Sequence, residues 1–568
     1  MNEVLKGAKA PKDPTKKRPG FCIMKNKSIC GSPQKDGSGI QFIYENDGRM
    51  LDAAKLVGNI TDENIIEMLK KTDSFKKLVH SIGVSVETDD REDVLFAFQM
   101  YGHKDIYGSG TTLKMQVPGD GMEYILELDS VDWSDDDNEP GQIRFHMKKG
   151  GDLGKATVKF YVRDGFNVPK EEEENPVDFN SDAYKEMISK SLMLKGNTAR
   201  INRAYKKAKE GKNVTLAFIG GSITQGAGAI PINKECYARK IFEGFCDSLN
   251  ISYDSNVHYV KAGVGGTPSE LGMLRYERDV LKNGKVTPDL VVIEFAVNDE
   301  GDETHGECFD SLARKIYNGP GNPAVILLYS VFSDDNNLQD RLSPVGYAYD
   351  IPMVSVKDAV VPEFYKKEGR VLSKNQYFYD RYHPNNTGHR IMADSVLNLI
   401  NEAVKSPDTE EKSIKEITPP IGGEFENVIL FDKKDHTDLG VVNPGSFTDT
   451  DTTLQSVEQD MNLTQTPMFP YNWYYKGKET GECGPFKLDV EATALLIIFK
   501  DSCENADGTA SVFVDGKKIL TLDPKIVGWT HCNPTIIFRN SELKKRHIEV
   551  KVDDPTKNFT ILGFGICK

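Results

Sequence analysis

Between Asp182 and Lys405, five short apolar runs (Thr215–Ile219, His258–Lys261, Leu290–Phe295, Val325–Ser330 and Pro352–Val356) alternate with segments of helical period such as Ala238–Leu249. Runs that are apolar on both faces need cover on both faces. This stretch is therefore predicted to fold as an α/β domain, a parallel sheet packed between helices. In such sheets the working groups collect at the carboxyl ends of the strands, which tells us where to look for chemistry.

The flanks follow a different period. Residues 1–166 carry alternating runs, Thr112–Val117, Glu123–Leu128 and Ala156–Val162, broken by Gly, Asp and Pro turns. Period two of this kind predicts a β-sandwich, with one exception at Asp62–Val79, where Ile65, Ile66, Met68, Leu69, Phe75 and Leu78 fit a helix pair. Residues 167–181 are charged and proline-flanked, and residues 406–421 are similar, so both are expected to be linkers. Beyond the second, Ala492–Phe499, Ala510–Val514, Arg546–Val552 and Phe559–Phe564 predict another β-sandwich over 422–568. A 568-residue chain is too long for one core, and three domains with residues 182–405 as the middle one is the expected organisation.

Lys+Arg 71 against Asp+Glu 86 gives a net charge of −15, a field that opposes nucleic acid and anionic membranes and suits a neutral or cationic partner. No apolar run approaches the ~20 residues that span a bilayer. The amino terminus carries charges from its third residue and has no apolar stretch before a cleavage site, so it does not look like a secretory signal. The nine cysteines are odd in number, scattered and without a CxxC pair, which predicts buried thiols and a reducing, cytoplasmic setting. The sequence leaves the oligomeric state open, a dimer included.

At the end of the first central strand stands Gly220-Gly221-Ser222-Ile223-Thr224-Gln225-Gly226. A glycine-rich turn there exposes a serine Oγ and a backbone N–H to the same space, as a nucleophile needs, but such turns also cradle phosphate. Three more strand ends bear on the choice. Ala262–Ser269 contains Gly265-Gly266, whose N–H groups are unobstructed; Ile293–Glu300 places Asn298 beside two acids; and Tyr379–His389 contains Asp380 and His383. Asp-x-x-His lets the carboxylate reach Nδ1–H of the imidazole while Nε2 points elsewhere. Taken singly, each element has a dull explanation as a turn, a cap or a surface histidine. Together, at successive strand ends, they read as one catalytic set that needs no metal or cofactor.

These residues resemble the SGNH hydrolases, also called the GDSL esterase/lipase superfamily, over roughly the central third of the chain. Gly220-Gly221-Ser222 is similar to block I, Gly266 to the block II glycine, Asn298 to the block III asparagine, and Asp380 with His383 to the block V dyad. The resemblance implies a flavodoxin-like central domain, Ser222, Asp380 and His383 as catalytic residues, and Ser222, Gly266 and Asn298 as the oxyanion hole. Two departures stand out: Lys261 where block II commonly has asparagine, and Gly221 where block I has aspartate. The Gly-x-Ser-x-Gly elbow of other serine hydrolases does not fit, since Thr224 occupies its second glycine.

Within the superfamily, the block I form and its neighbours look closest to bacterial carbohydrate acetylesterases, several of which carry accessory β-sandwiches resembling carbohydrate-binding modules, and the resemblance implies that role for residues 1–166 and 422–568. The implied substrate is an acetylated plant oligo- or polysaccharide of xylan or mannan type. Rivals are a lipase or aryl esterase of the same superfamily and a non-catalytic carbohydrate-binding protein. Trp529, in a Gly- and Asn-bounded stretch, and Trp473 are the candidate sugar-stacking side chains, although aromatics in a sandwich also serve as core.

Overall fold

The computed structural model describes residues 18–44, 48–171, 173–405, 410–459, 465–478 and 483–568. The charged amino terminus and residues 406–409 of the second linker lie outside the described residues. The central sheet has six strands in the spatial order Leu192–Leu194, Met353–Ser355, Ala324–Tyr329, Leu290–Glu294, Val214–Gly220 and Val257–Gly263. Five are parallel, and they coincide with the five apolar runs of the sequence. The sixth, Leu192–Leu194, pairs antiparallel at the edge and is too short and too exposed to show in hydrophobic patterning. The order reverses at Val214–Gly220, the first strand laid down in the parallel set, so its carboxyl end opens on the crevice where doubly wound sheets bind ligands.

Residues at the two faces of this sheet enter two separate cores. One joins the sheet to the helices Tyr237–Leu249 and Asn386–Val404. The other joins it to Ser269–Asp279 and Glu307–Tyr317 and continues without a break into the C-terminal sandwich through Leu496, Ile498, Cys532 and Leu562. The N-terminal sandwich keeps a core of its own.

That N-terminal unit packs the sheet Gly20–Cys30, Leu153–Val162, Val79–Thr88, Asp120–Glu127 on a second sheet of five strands that includes Val94–Gly102 and Asp137–Met147. The helix pair expected at Asp62–Val79 is present as Glu63–Met68 and Thr72–Leu78. A further helix, Arg49–Leu56, was not evident in the sequence because only Ala53 and Ala54 are buried along it. The C-terminal sandwich has two five-stranded sheets. All nine cysteines are free thiols, most of them buried. Among the described residues no helix is long and apolar enough to cross a membrane.

The described parts of both polar connectors are irregular but bonded to the central domain. Glu174 accepts hydrogen bonds from Ser373 Oγ and from Asn375 Nδ2, the latter at 2.8 Å. Ile414 is fully buried, and Arg314 Nη1 donates to the carbonyl of Ile417 at 2.8 Å.

Candidate active site

The strand Val214–Gly220 ends at Gly221, and a single helical turn, Ser222–Gln225, starts immediately. Ser222 Oγ lies 3.0 Å from His383 Nε2. His383 Nδ1 lies 2.9 Å from both carboxylate oxygens of Asp380, an arrangement that assigns its proton to Nδ1 and leaves Nε2 to accept from the serine. The loop carrying the pair is closed by Tyr379 N–H donating to the His383 carbonyl at 2.8 Å, and Asp380 Oδ1 also accepts the backbone N–H groups of Tyr382 (2.8 Å) and His383 (2.9 Å). Burial pushes the Asp380 carboxyl upward. The adjacent His383 ring, the bond to it and the Tyr382 N–H outweigh that and hold it below the usual carboxylate range, so it stays ionised beside the imidazole.

Gly266 has φ +67°, a left-handed conformation suited to glycine, and an added Cβ would sit 2.7 Å from Trp529 Cζ2. Asn298 packs on Gly221 so closely that a Cβ there would lie 2.1 Å from Oδ1. Ser222, Gly266, Asn298 and His383 thus line one cleft of about 1510 Å³, whose walls come from all three domains. Such a constellation can take a proton from a serine, present that serine to an acyl carbon and meet the resulting oxyanion with N–H donors.

Residues 218–391 match the GDSL-like lipase/acylhydrolase family. The match is confined to the central domain. No curated protein sequence matches the chain. Among solved structures, the chain is similar to a two-domain esterase (CEX) active on acetylated mannans, at 26% identity and TM-score 0.57 over 67% of this chain and 99% of that one. The same esterase co-crystallised with mannopentaose matches at 25% identity and TM-score 0.56, over 67% of this chain and 98% of that one. The protein is a carboxylic ester hydrolase of this GDSL-like, SGNH type.

Its two departures from the family pattern have local explanations. Lys261 is buried and its Nζ donates to the Gln225 carbonyl at 2.8 Å, closing the end of the nucleophile turn where a cation is favourable. Gly221 leaves room for the Asn298 amide, as its contact distance shows.

Several residues that complete the site were not singled out from the sequence. Arg275, fully buried, donates from Nη1 to Ala262 O (2.6 Å) and from Nη2 to Gly220 O (2.8 Å), pinning together the strand ends that carry Ser222 and Gly266. Glu294 is buried behind the nucleophile turn, accepting from Ser330 Oγ at 2.8 Å and from Thr224 Oγ1 at 3.3 Å; burial raises its carboxyl to about 7 against the pull of those two hydroxyls. From the C-terminal sandwich, Gln455 Nε2 donates to Gly265 O and His531 Nε2 to Gly266 O, each at 2.9 Å. Burial lowers the His531 pKa although the Gly266 bond opposes it, which keeps the ring neutral with its proton on Nε2.

Of the two tryptophans, Trp529 lines the cleft, 44% exposed and edge-on to His531 at 4.8 Å. Trp473 does not. It is 4% exposed, stacked on Phe431 and edge-on to Phe486 inside the C-terminal core, so the expectation of a sugar-stacking role for it is corrected: a strand residue of that size fills the space between the sheets.

Proposed function

We propose that this hydrolase removes O-acetyl groups from plant oligo- or polysaccharides of mannan type through an acetyl-enzyme intermediate. The carrying observation is the Ser222–His383–Asp380 relay on the floor of a large cleft lined by amides, Asn138, Gln142, Gln225 and Gln455, together with the aromatic faces of Tyr107 and Trp529. Hydroxyl-rich substrates are recognised by that mixture of polar donors and flat apolar surface. The mannan preference is supported by the activity of the two-domain esterase that the chain resembles over 67% of its length.

In this reading, Ser222 Oγ attacks the acetyl carbon as its proton passes to His383 Nε2. The carbonyl oxygen becomes an oxyanion met by the N–H groups of Ser222 and Gly266 and by the Asn298 amide. The C–O bond to the sugar breaks, the alcohol leaves with the proton from His383, and the acetyl group remains on Ser222. Water then attacks with His383 as base and releases acetate. Asp380 keeps the imidazole in the tautomer both steps require.

Mass spectrometry of acetyl loss from defined acetylated mannan and xylan fragments tests the reading. Mannan fragments are expected to lose acetate faster, and Ser222→Ala is expected to lower the rate by ~10⁴ or more. Equal release by that variant would end the serine mechanism, and turnover confined to aryl or long-chain esters would end the carbohydrate assignment.

A further inference from the structure

The cleft exceeds the roughly 300–1,000 Å³ of ordinary small-molecule sites, and a single acetylated sugar would leave much of its 1510 Å³ unfilled. One wall is supplied by the N-terminal sandwich, through the loop after the strand Val94–Gly102 and the start of Asp137–Met147. At the crest of that loop, Ile106 and Tyr107 are 53% and 67% exposed.

Exposed apolar side chains on loops are common, but this loop is held in shape by its own bonds. His103 N donates to Asp136 O at 3.0 Å, Lys104 N to Asp136 Oδ2 at 3.0 Å, Tyr107 N to Asp105 Oδ1 at 3.1 Å, and Gln99 Nε2 to Tyr107 O at 2.7 Å. Ser109 Oγ bonds Asp105 O and Asp136. The Tyr107 ring rests edge-on against the buried Tyr101, with centroids 5.4 Å apart. A loop this well bonded presents its aromatic face at little further entropic cost on binding. The opposing domain does the same. Ile526 N and Val527 N are anchored on Asp501 Oδ2 at 3.1 and 3.0 Å, and Trp529 rests against the Gly266 turn. Two rigid, exposed aromatics from two different domains therefore line one cleft with the nucleophile on its floor.

We propose that the N-terminal sandwich forms a substrate-binding wall of the active site, with Tyr107 and Ile106 packing against sugar rings of a neutral oligosaccharide chain whose other side lies along Trp529. The occupant is argued from continuity with the ester-cleaving site and from the make-up of the wall, where Asn138 and Glu139 line the same cleft as the apolar pair. Chain length, rather than the acetylated sugar alone, then governs turnover. This rests on the carbohydrate esterase reading given above.

The test compares kcat/KM on acetylated manno-oligosaccharides of one to six sugars with kcat/KM on 4-nitrophenyl acetate. The full-length wild type is expected to gain with chain length. Tyr107→Ala is expected to lose roughly tenfold more on the longest chains than on the aryl ester, chiefly through KM, and Tyr107→Phe to restore the preference. Tyr347→Ala, at a 56% exposed tyrosine that does not line the cleft, controls for loss of surface aromatics and is expected to leave the ratio at the wild-type value. Wild-type activity that rises with chain length but is equally sensitive in Tyr107→Ala and Tyr347→Ala overturns the wall and leaves the esterase reading standing. Wild-type hydrolysis of the aryl ester with none on any acetylated oligosaccharide overturns both.

Discussion

Gly221 shows how closely the oxyanion side of this site is packed. A methyl group at that position would fall 2.1 Å from Asn298 Oδ1 and 2.5 Å from its Cγ, so the amide must swing aside. Loss of one oxyanion donor typically costs ~10²–10³ in kcat. Gly221→Ala is expected to show a loss of that size with little change in melting temperature. Because the damage acts through Asn298, adding Asn298→Ala to it should cost almost nothing more in a double-mutant cycle. Full additivity of the two losses would mean that Gly221 acts by another route. The proposed catalytic residues, which the structure brings together, were legible in the sequence because each sits in its own short motif at a strand end. Arg275, Gln455 and His531 were not, since what makes them part of the site is a carbonyl they reach across 55, 190 and 265 residues of chain. Nothing local distinguishes them from ordinary helix, hairpin or strand residues, and the same lack of local signal made Trp473 look equivalent to Trp529.

At the scale of elements, the strand Gly20–Cys30 does more than complete its own sheet. Its Lys27 leaves the N-terminal sandwich and donates to the carbonyls of Asn375, at 2.6 Å, and Phe378, just ahead of Asp380. Asn385 Nδ2 donates to the same two carbonyls, so the segment before Asp380 and His383 is held from two directions. Burial lowers the Lys27 pKa from 10.5 to about 7, against the opposing pull of Glu174 and Asp380. A neutral amine still offers two N–H groups, enough for two carbonyls. The sign of the linkage follows. Between pH 7 and 10.5 the unfolded lysine holds a proton that the folded one has given up, so this group's contribution to stability rises with pH across that window, by at most about 1.4 kcal/mol per pH unit. Melting curves of wild type and Lys27→Met at pH 7, 8 and 9 are expected to diverge, with the wild type gaining on the variant as pH rises. A difference independent of pH would show that the ammonium keeps its proton in the fold.

At the scale of the whole molecule, the two sandwiches are attached in different ways. The N-terminal one has a separate hydrophobic core, and it meets the central domain through polar contacts such as Lys27 and the Asn386–Ser28 hydrogen bond, with Leu56 packing on the central core. The C-terminal one shares a core with the central domain. The helix Ser269–Asp279 packs on the strands Ile429–Phe431 and His531–Phe538, and Leu274 meets the backbone of Gly565 so closely that a Cβ there would be 2.3 Å from its Cδ2. Removing residues 422–568 would expose Leu271, Met273 and Leu274 along with the sheet residues beneath them, at about 1.5–3 kcal/mol for each large side chain, against a typical total stability of 5–15 kcal/mol. The same cut would remove Gln455 and His531 from the Gly265-Gly266 turn, and Gln459 from Asp279 beside Arg275. The period change in the sequence marked where sandwich gives way to sheet, but periodicity reports which face is buried and not which neighbour covers it, so this asymmetry was hidden. Residues 167–568 are therefore expected to melt cooperatively and still hydrolyse 4-nitrophenyl acetate, whereas residues 1–421 are expected to show no cooperative transition from the central domain and no turnover. Circular dichroism melts alongside acetate release decide it. A stable, active 1–421 fragment would mean that the shared core is dispensable, and that the C-terminal sandwich contributes to substrate choice alone.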